Sequence, residues 1–151
     1  MLFRSHQYAA DGDYTVSLTV TTTDGRTAST SQVVQVATHD VAIKRLAVPT
    51  SVHVGQTIPV TAYLQNTRYP EMVEVDLYKG VPSGFTQVGS LTESVPVKRV
   101  GQTTRFDFSY TVTSADKAIG KITFEVTASI IGFRDALPAV NTLISPPVKV
   151  R

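Results

Sequence analysis

Near the start of the chain Tyr14, Val16, Leu18 and Val20 alternate with Thr15, Ser17 and Thr19. That period of two is the mark of a strand with one face turned from water. Asp24-Gly25 is expected to supply the positive φ angles of a tight hairpin turn, and a return strand is predicted over about Thr27 to Val36. Phe3 to Tyr8 offers one further short strand. A polar joint, Thr38-His39-Asp40, leads into a longer series. Val41, Ile43 and Val48 open it and Pro49 halts it. Ile58, Val60, Ala62 and Leu64 alternate up to a turn at Asn66 to Pro70. Val73, Val75 and Leu77 follow, ending at Gly80 and a Pro82-Ser83-Gly84 turn. One or two irregular strands are expected over 85–97. Phe106, Phe108, Tyr110 and Val112 form the clearest alternation, then come Ile122, Phe124 and Val126, and Leu143 to Val150 close the series. The sole helix candidate is about one turn, Ser114 to Ala118. About seven or eight short strands at this spacing predict an all-β chain: an immunoglobulin-like antiparallel β-sandwich preceded by a partial segment of about three strands.

Two internal echoes support this organisation. Val54-Gly55-Gln56-Thr57 and Val100-Gly101-Gln102-Thr103 each precede a long alternating strand, where glycine suits a turn with positive φ. Gly12-Asp13-Tyr14-Thr15-Val16 parallels Gly120-Lys121-Ile122-Thr123-Phe124. In the first, Tyr14 is placed to act as a tyrosine corner, its hydroxyl bonding to backbone; Ile122 has to hold by packing alone.

His6-x-Tyr8, Gly12-x-Tyr14-x-Val16-x-Leu18-x-Val20, Asp24-Gly25 and Val34-x-Val36 resemble the C-terminal half of a PKD (polycystic kidney disease) domain. Asp40-Val41, Val54-Gly55-Gln56-Thr57, Asn66, Leu77-Tyr78, Val100-Gly101-Gln102-Thr103 and Phe106-Asp107-Phe108 resemble a CARDB domain, the cell-adhesion-related domain of bacteria and archaea. The chain departs from that pattern at Thr67-Arg68-Tyr69-Pro70 and over Ile130 to Val140, so no ion or ligand role is carried over. The resemblances divide the chain into a PKD-like segment, residues 1–38, and a CARDB-like domain, residues 39–151. They imply tandem immunoglobulin-like modules of a secreted or wall-attached prokaryotic protein. Three strands bury too little to stand alone. The opening hairpin is therefore expected to lie against another domain or to pair with a second copy as a homodimer.

Composition narrows the function. Of 151 residues, 42% are hydrophobic and 17% charged, with a net charge of +2. Lys44-Arg45 and Lys98-Arg99 are the longest basic runs, which gives nucleic acid no concentrated patch to bind. There is no cysteine, and so no disulfide or thiolate chemistry. No 18-residue apolar run predicts membrane insertion. Met1-Leu2-Phe3-Arg4 is too short for a secretion signal, so an exported parent is expected to carry its signal elsewhere.

Candidate chemistry is sparse. His6, His39 and His53 have no metal-ligand spacing, and neither a GxSxG elbow nor a phosphate loop is present. No catalytic or metal residue is predicted. Asp11, Asp13, Asp24 and Asp40 are the only acidic group to consider for calcium, and turn chemistry explains all four without it. Lys44 with Asn141 on the last strand raises an intramolecular isopeptide bond, for which no buried carboxylate stands out. Tyr69, Tyr78 and Phe85 are candidates for a sugar-binding platform. Within the apolar stretch 130–140, Phe133 and Leu137 either form a partner-binding patch or plug one end of the sandwich. The function expected is a non-catalytic structural or adhesion module, a spacer or protein-interaction domain meeting a protein or a cell-surface glycan. The alternative is a carbohydrate-binding accessory module of a secreted hydrolase.

Overall fold

The computed structural model describes residues 6–151. The chain divides between Thr38 and His39 into two compact units.

The first unit holds β1 (Gly12–Thr21) and β2 (Thr27–Val36). They pair antiparallel from Gly12↔Val36 to Thr21↔Thr27. The turn is one residue wider than a two-residue hairpin. Thr22 N donates to Arg26 O at 2.9 Å, closing a Thr23-Asp24-Gly25 loop in which Gly25 alone takes a left-handed φ of 84°. Tyr14 donates its hydroxyl to Ala10 O at 2.8 Å, a bond to the chain just upstream. The strand expected over 3–8 lies partly outside the described residues, and 6–8 are not strand. His6 and Tyr8 instead make ring contacts, Tyr8 with Tyr14 at 4.4 Å.

The second unit is a β-sandwich. One layer is β3 (Ala42–Ala47), β5 (Thr57–Gln65) and β8 (Thr104–Thr111), in that order. The other has the order β11-β10-β6-β7, formed by β6 (Glu71–Val81), β7 (Gly84–Val95), β10 (Phe124–Ile130) and β11 (Thr142–Ile144). A small ribbon joins the layers: β4 (Ser51–Val52), β12 (Val148–Val150) and β9 (Lys121–Ile122). β4 follows β3 from one layer, and β9 runs into β10 of the other. The closing segment predicted over 143–150 is thus two strands, because Pro146-Pro147 offer no amide to a ladder. Pro59 is tolerated inside β5 because β3 pairs only as far as Thr61, leaving that edge open.

The inward rows of both layers meet in one core that includes Ile58, Val60, Leu64, Val73, Val75, Leu77, Phe106, Phe124 and Val126, all buried. Gly55 and Gly101, the glycines of the echoed motif, both take left-handed φ, 81° and 87°, in the turns before β5 and β8. The helix α1 (Ser114–Ile119) is a single short element with a reciprocal capping box between Thr113 and Asp116.

Candidate functional site

β6 organises both ends of the sandwich. Its inward row reads Glu71, Val73, Val75, Leu77, Lys79: an apolar stretch with a carboxylate at one end and an ammonium at the other. Buried charges need partners, and each finds one from a distant part of the chain.

At the α1 end, Lys79 Nζ lies 2.9 Å from Asp116 Oδ1 and donates to Tyr110 OH at 2.9 Å. Tyr110 OH and the Thr113 backbone N and side-chain Oγ1 all donate to Asp116 Oδ2, at 2.7, 2.9 and 2.8 Å. Burial pushes the Asp116 carboxyl up, but the hydrogen bonds from Lys79, Tyr110 and Thr113 outweigh it and hold the group at about 2. Burial opposes the Lys79 charge, yet Tyr110 and Asp116 raise its pKa overall. Tyr110 is pushed up mainly by burial. The pair is therefore locked as ammonium and carboxylate. Amide formation between them would need a neutral amine and a protonated acid, the reverse of what the network favours. The cluster is a clasp between β6, β8 and α1.

At the opposite end, His39 Nδ1 lies 2.7 Å from Glu71 Oε1, and Glu71 is 2% exposed. The His39 ring stacks on Phe133 at 3.8 Å and 8° and tilts against Tyr69 at 5.5 Å. Asp135 ties the following loop down. Its carboxylate accepts from Leu137 N at 2.7 Å, Asn141 Nδ2 at 2.9 Å and Val41 N at 3.3 Å. The 130–140 stretch thus folds over the end of the sandwich, yet Phe133 and Leu137 each stay 58% exposed. Burial, then the nearby Asp135 charge, push the Asp40 carboxyl up against the pull of Arg68 and Lys44. Asp40 Oδ1, Glu71 Oε2 and Asn141 Oδ1 are buried without a protein donor. Even so, among the described residues no three His, Asp or Glu side chains group in a way that could hold a metal ion.

The aspartates considered for calcium do not converge. Asp11 accepts from Thr38 Oγ1 at 2.5 Å, and Asp24 sits in the hairpin turn beside Arg26, held down chiefly by the Thr22 hydroxyl and then by Arg26. Asp13 opens β1, at the far end of the hairpin from Asp24, and Asp40 belongs to the second unit. The isopeptide pairing also fails. Lys44 is exposed on β3, whereas Asn141 is buried ahead of β11 with its amide on Asp135.

The three aromatic candidates do not form one platform. Tyr69 belongs to the His39 end, while Tyr78 lies seven residues along β6 from Glu71, about 23 Å by strand rise. Tyr78 and Phe85 do share the outer face of the four-stranded layer. Tyr78 stands between Glu125 and Gln87, and Phe85 borders a groove of about 380 Å³ with Gly80, Val81, Pro82, Ile119 and Thr123. Sequence reasoning passed over Glu71, Lys79, Tyr110 and Asp116. The signal was there: Glu71 and Lys79 are in phase with the inward valines, and Thr113-x-x-Asp116 is a capping-box pattern.

No family profile matches the chain, and no curated protein does. Among solved structures, the chain is similar to a CARDB domain from Pyrococcus furiosus that was crystallised in complex with di-metal ions. The identity is 16% and the TM-score 0.54, over 74% of this chain and 88% of that one. The likeness is one of fold. The second unit is a CARDB-like, immunoglobulin-like β-sandwich.

Proposed function

We propose that this chain is part of a multidomain protein displayed outside a prokaryotic cell, in which residues 39–151 serve as a non-catalytic structural and adhesion module. On this reading residues 1–38 belong to a PKD-like neighbour. One observation carries the proposal: the chain enters and leaves the sandwich at opposite ends. β3 begins at Ala42 beside Gln65, the last residue of β5. β12 ends at Val150 beside Val52, just before the turn that leads to Thr57, the first residue of β5. The nine residues of β5, about 30 Å, separate the two points. Modules joined through such points extend in series. The locked Lys79–Asp116 pair fits a role without chemistry. Small-angle X-ray scattering on two chains fused head to tail tests this. The maximum dimension is expected to exceed that of one chain by roughly 30 Å or more; a particle no longer than a compact globule of twice the mass would overturn the reading.

The outer face of the four-stranded layer favours the second reading, a carbohydrate-binding module. Tyr78 sits there among Glu125, Gln87 and Asp76, with Gln87 Nε2 bonded to Asp76 at 2.8 Å. A half-buried ring among polar groups suits a sugar. Retardation in polysaccharide gels that is lost on Tyr78→Ala would favour it over the spacer role.

A further inference from the structure

We propose that the β4-β12-β9 ribbon is a shear clamp, a latch that carries tension along the axis of the sandwich. The proposal deepens the spacer reading and rests on it. β4 and β12 are parallel, with Ser51 opposite Lys149 and Val52 opposite Val150. β4 follows β3, whose upstream end is where the chain enters the sandwich. The downstream end of β12 is where the chain leaves it. Pulling the two ends apart therefore drives β4 and β12 past each other in opposite directions along their own length. In a parallel pair the ladder bonds are evenly spaced from strand to strand, so a sliding force loads them together and not one after another.

The bonds are in place on both sides of β12. Lys149 N donates to Thr50 O at 3.1 Å and Arg151 N to Val52 O at 2.9 Å. On the other edge Val150 N donates to Gly120 O at 3.0 Å, and Val148 and Lys149 pair with Ile122 and Lys121 of β9. Since β9 leads into β10, β12 is gripped by both layers. Val52, Val148, Val150 and Ile122 are all buried, so water is kept from competing for the strained amides. Pro146-Pro147, with their fixed φ, take up slack just upstream of β12.

The same chain holds the opposite geometry. β1 and β2 are loaded at Gly12 and Val36, which face each other at one end of the hairpin. Tension there opens one rung at a time.

Single 151-residue chains stretched between their two ends test the clamp. The hairpin is expected to open at low force and the sandwich to rupture in a separate, higher event. Because the chain has no cysteine, Ser83→Cys in the exposed β6–β7 turn can replace the N-terminal attachment point. Ser83 and Arg151 lie at the same end, so pulling between them peels β12 instead of shearing it. The rupture force is expected to fall roughly twofold or more, because rungs then break in turn. Lys149→Pro, at an exposed position, removes the amide that reaches Thr50 and should lower the end-to-end rupture force more than Val75→Ala does. Val75→Ala should nonetheless cost more equilibrium stability, read by denaturant titration. Equal rupture forces in the two pulling directions would overturn the clamp even if Lys149→Pro failed to fold. An elongated tandem with equal forces would sink the clamp and leave the spacer; a compact tandem would sink the spacer whatever the forces.

Discussion

The hairpin and the sandwich are written in the same alphabet, yet only one of them has an interior. Val16, Leu18 and Val20 alternate as regularly as Ile58, Val60 and Ala62. Leu18 is 61% exposed, while Val60 and Ala62 are fully buried. Both units also turn on a left-handed glycine, Gly25 in one and Gly55 in the other. What differs is a facing layer. Alternation makes a strand two-faced, but burial, and with it most of the stability, comes only from a second row of side chains opposite the first.

The largest test of that contrast removes a ring from the interior. Phe106→Ala should cost the sandwich about 3–5 kcal/mol, whereas Leu18→Ala, outside that unit, should leave the unfolding of the sandwich within about 0.5 kcal/mol of wild type; denaturant unfolding of both variants reads the difference. Next come the two ends of β6. Asp116→Asn should cost about 3 kcal/mol, since it strands the Lys79 ammonium in the interior. The wild-type carboxyl is held at about 2, below its unfolded value. Its contribution of about 2 kcal/mol is thus present above the ordinary aspartate range near 3.9 and lost as pH falls through about 2. Thermal melts between neutral and acid pH should show this loss in the wild type and not in the variant. Asp40 has the opposite sign. Its raised pKa means a contribution present at acid pH and lost as pH rises through the folded value. Asp40→Asn is therefore expected to stabilise the fold at neutral pH, read as a higher melting temperature there than in the wild type.

The smallest effect on folding, and the sharpest on assembly, belongs to the hairpin. Tyr14, Val16, Leu18 and Val20 share one face with Ala28 and Val34 across the register, and we propose that a second copy covers it. Sedimentation should show a dimer that Leu18→Lys dissociates with no change in the melting of the sandwich. A strict monomer with unprotected hairpin amides in hydrogen exchange would end that idea.

Much of this architecture was legible because it is local. Period two in β1, β5, β6 and β8, the glycine turns and the one-turn helix are read from residues a few positions apart. The details that went astray have local causes too. Pro146-Pro147 cut the last strand in two, and the hairpin loop needed a third residue to let Gly25 alone carry the positive φ. The candidate sites were far less legible. Tyr69, Tyr78 and Phe85 look equivalent along the chain, but strand rise carries Tyr78 to the other end of the sheet from Tyr69. Asn141 and Lys44 look like partners, but burial separates them and gives Asn141 to Asp135.

The order of residues by itself determined that the chain is almost all β, where its long alternating strands lie, and which side of each is greasy. Steric limits and side-chain alternation act over two to five residues, so they need no knowledge of the rest. Only the tertiary structure decided that Glu71 meets His39 and Lys79 meets Asp116, and that β12 slots between β4 and β9. Those pairings join segments 30 or more residues apart, or two layers at once. Their outcome depends on how the sheets stack, a property no single stretch of the chain contains.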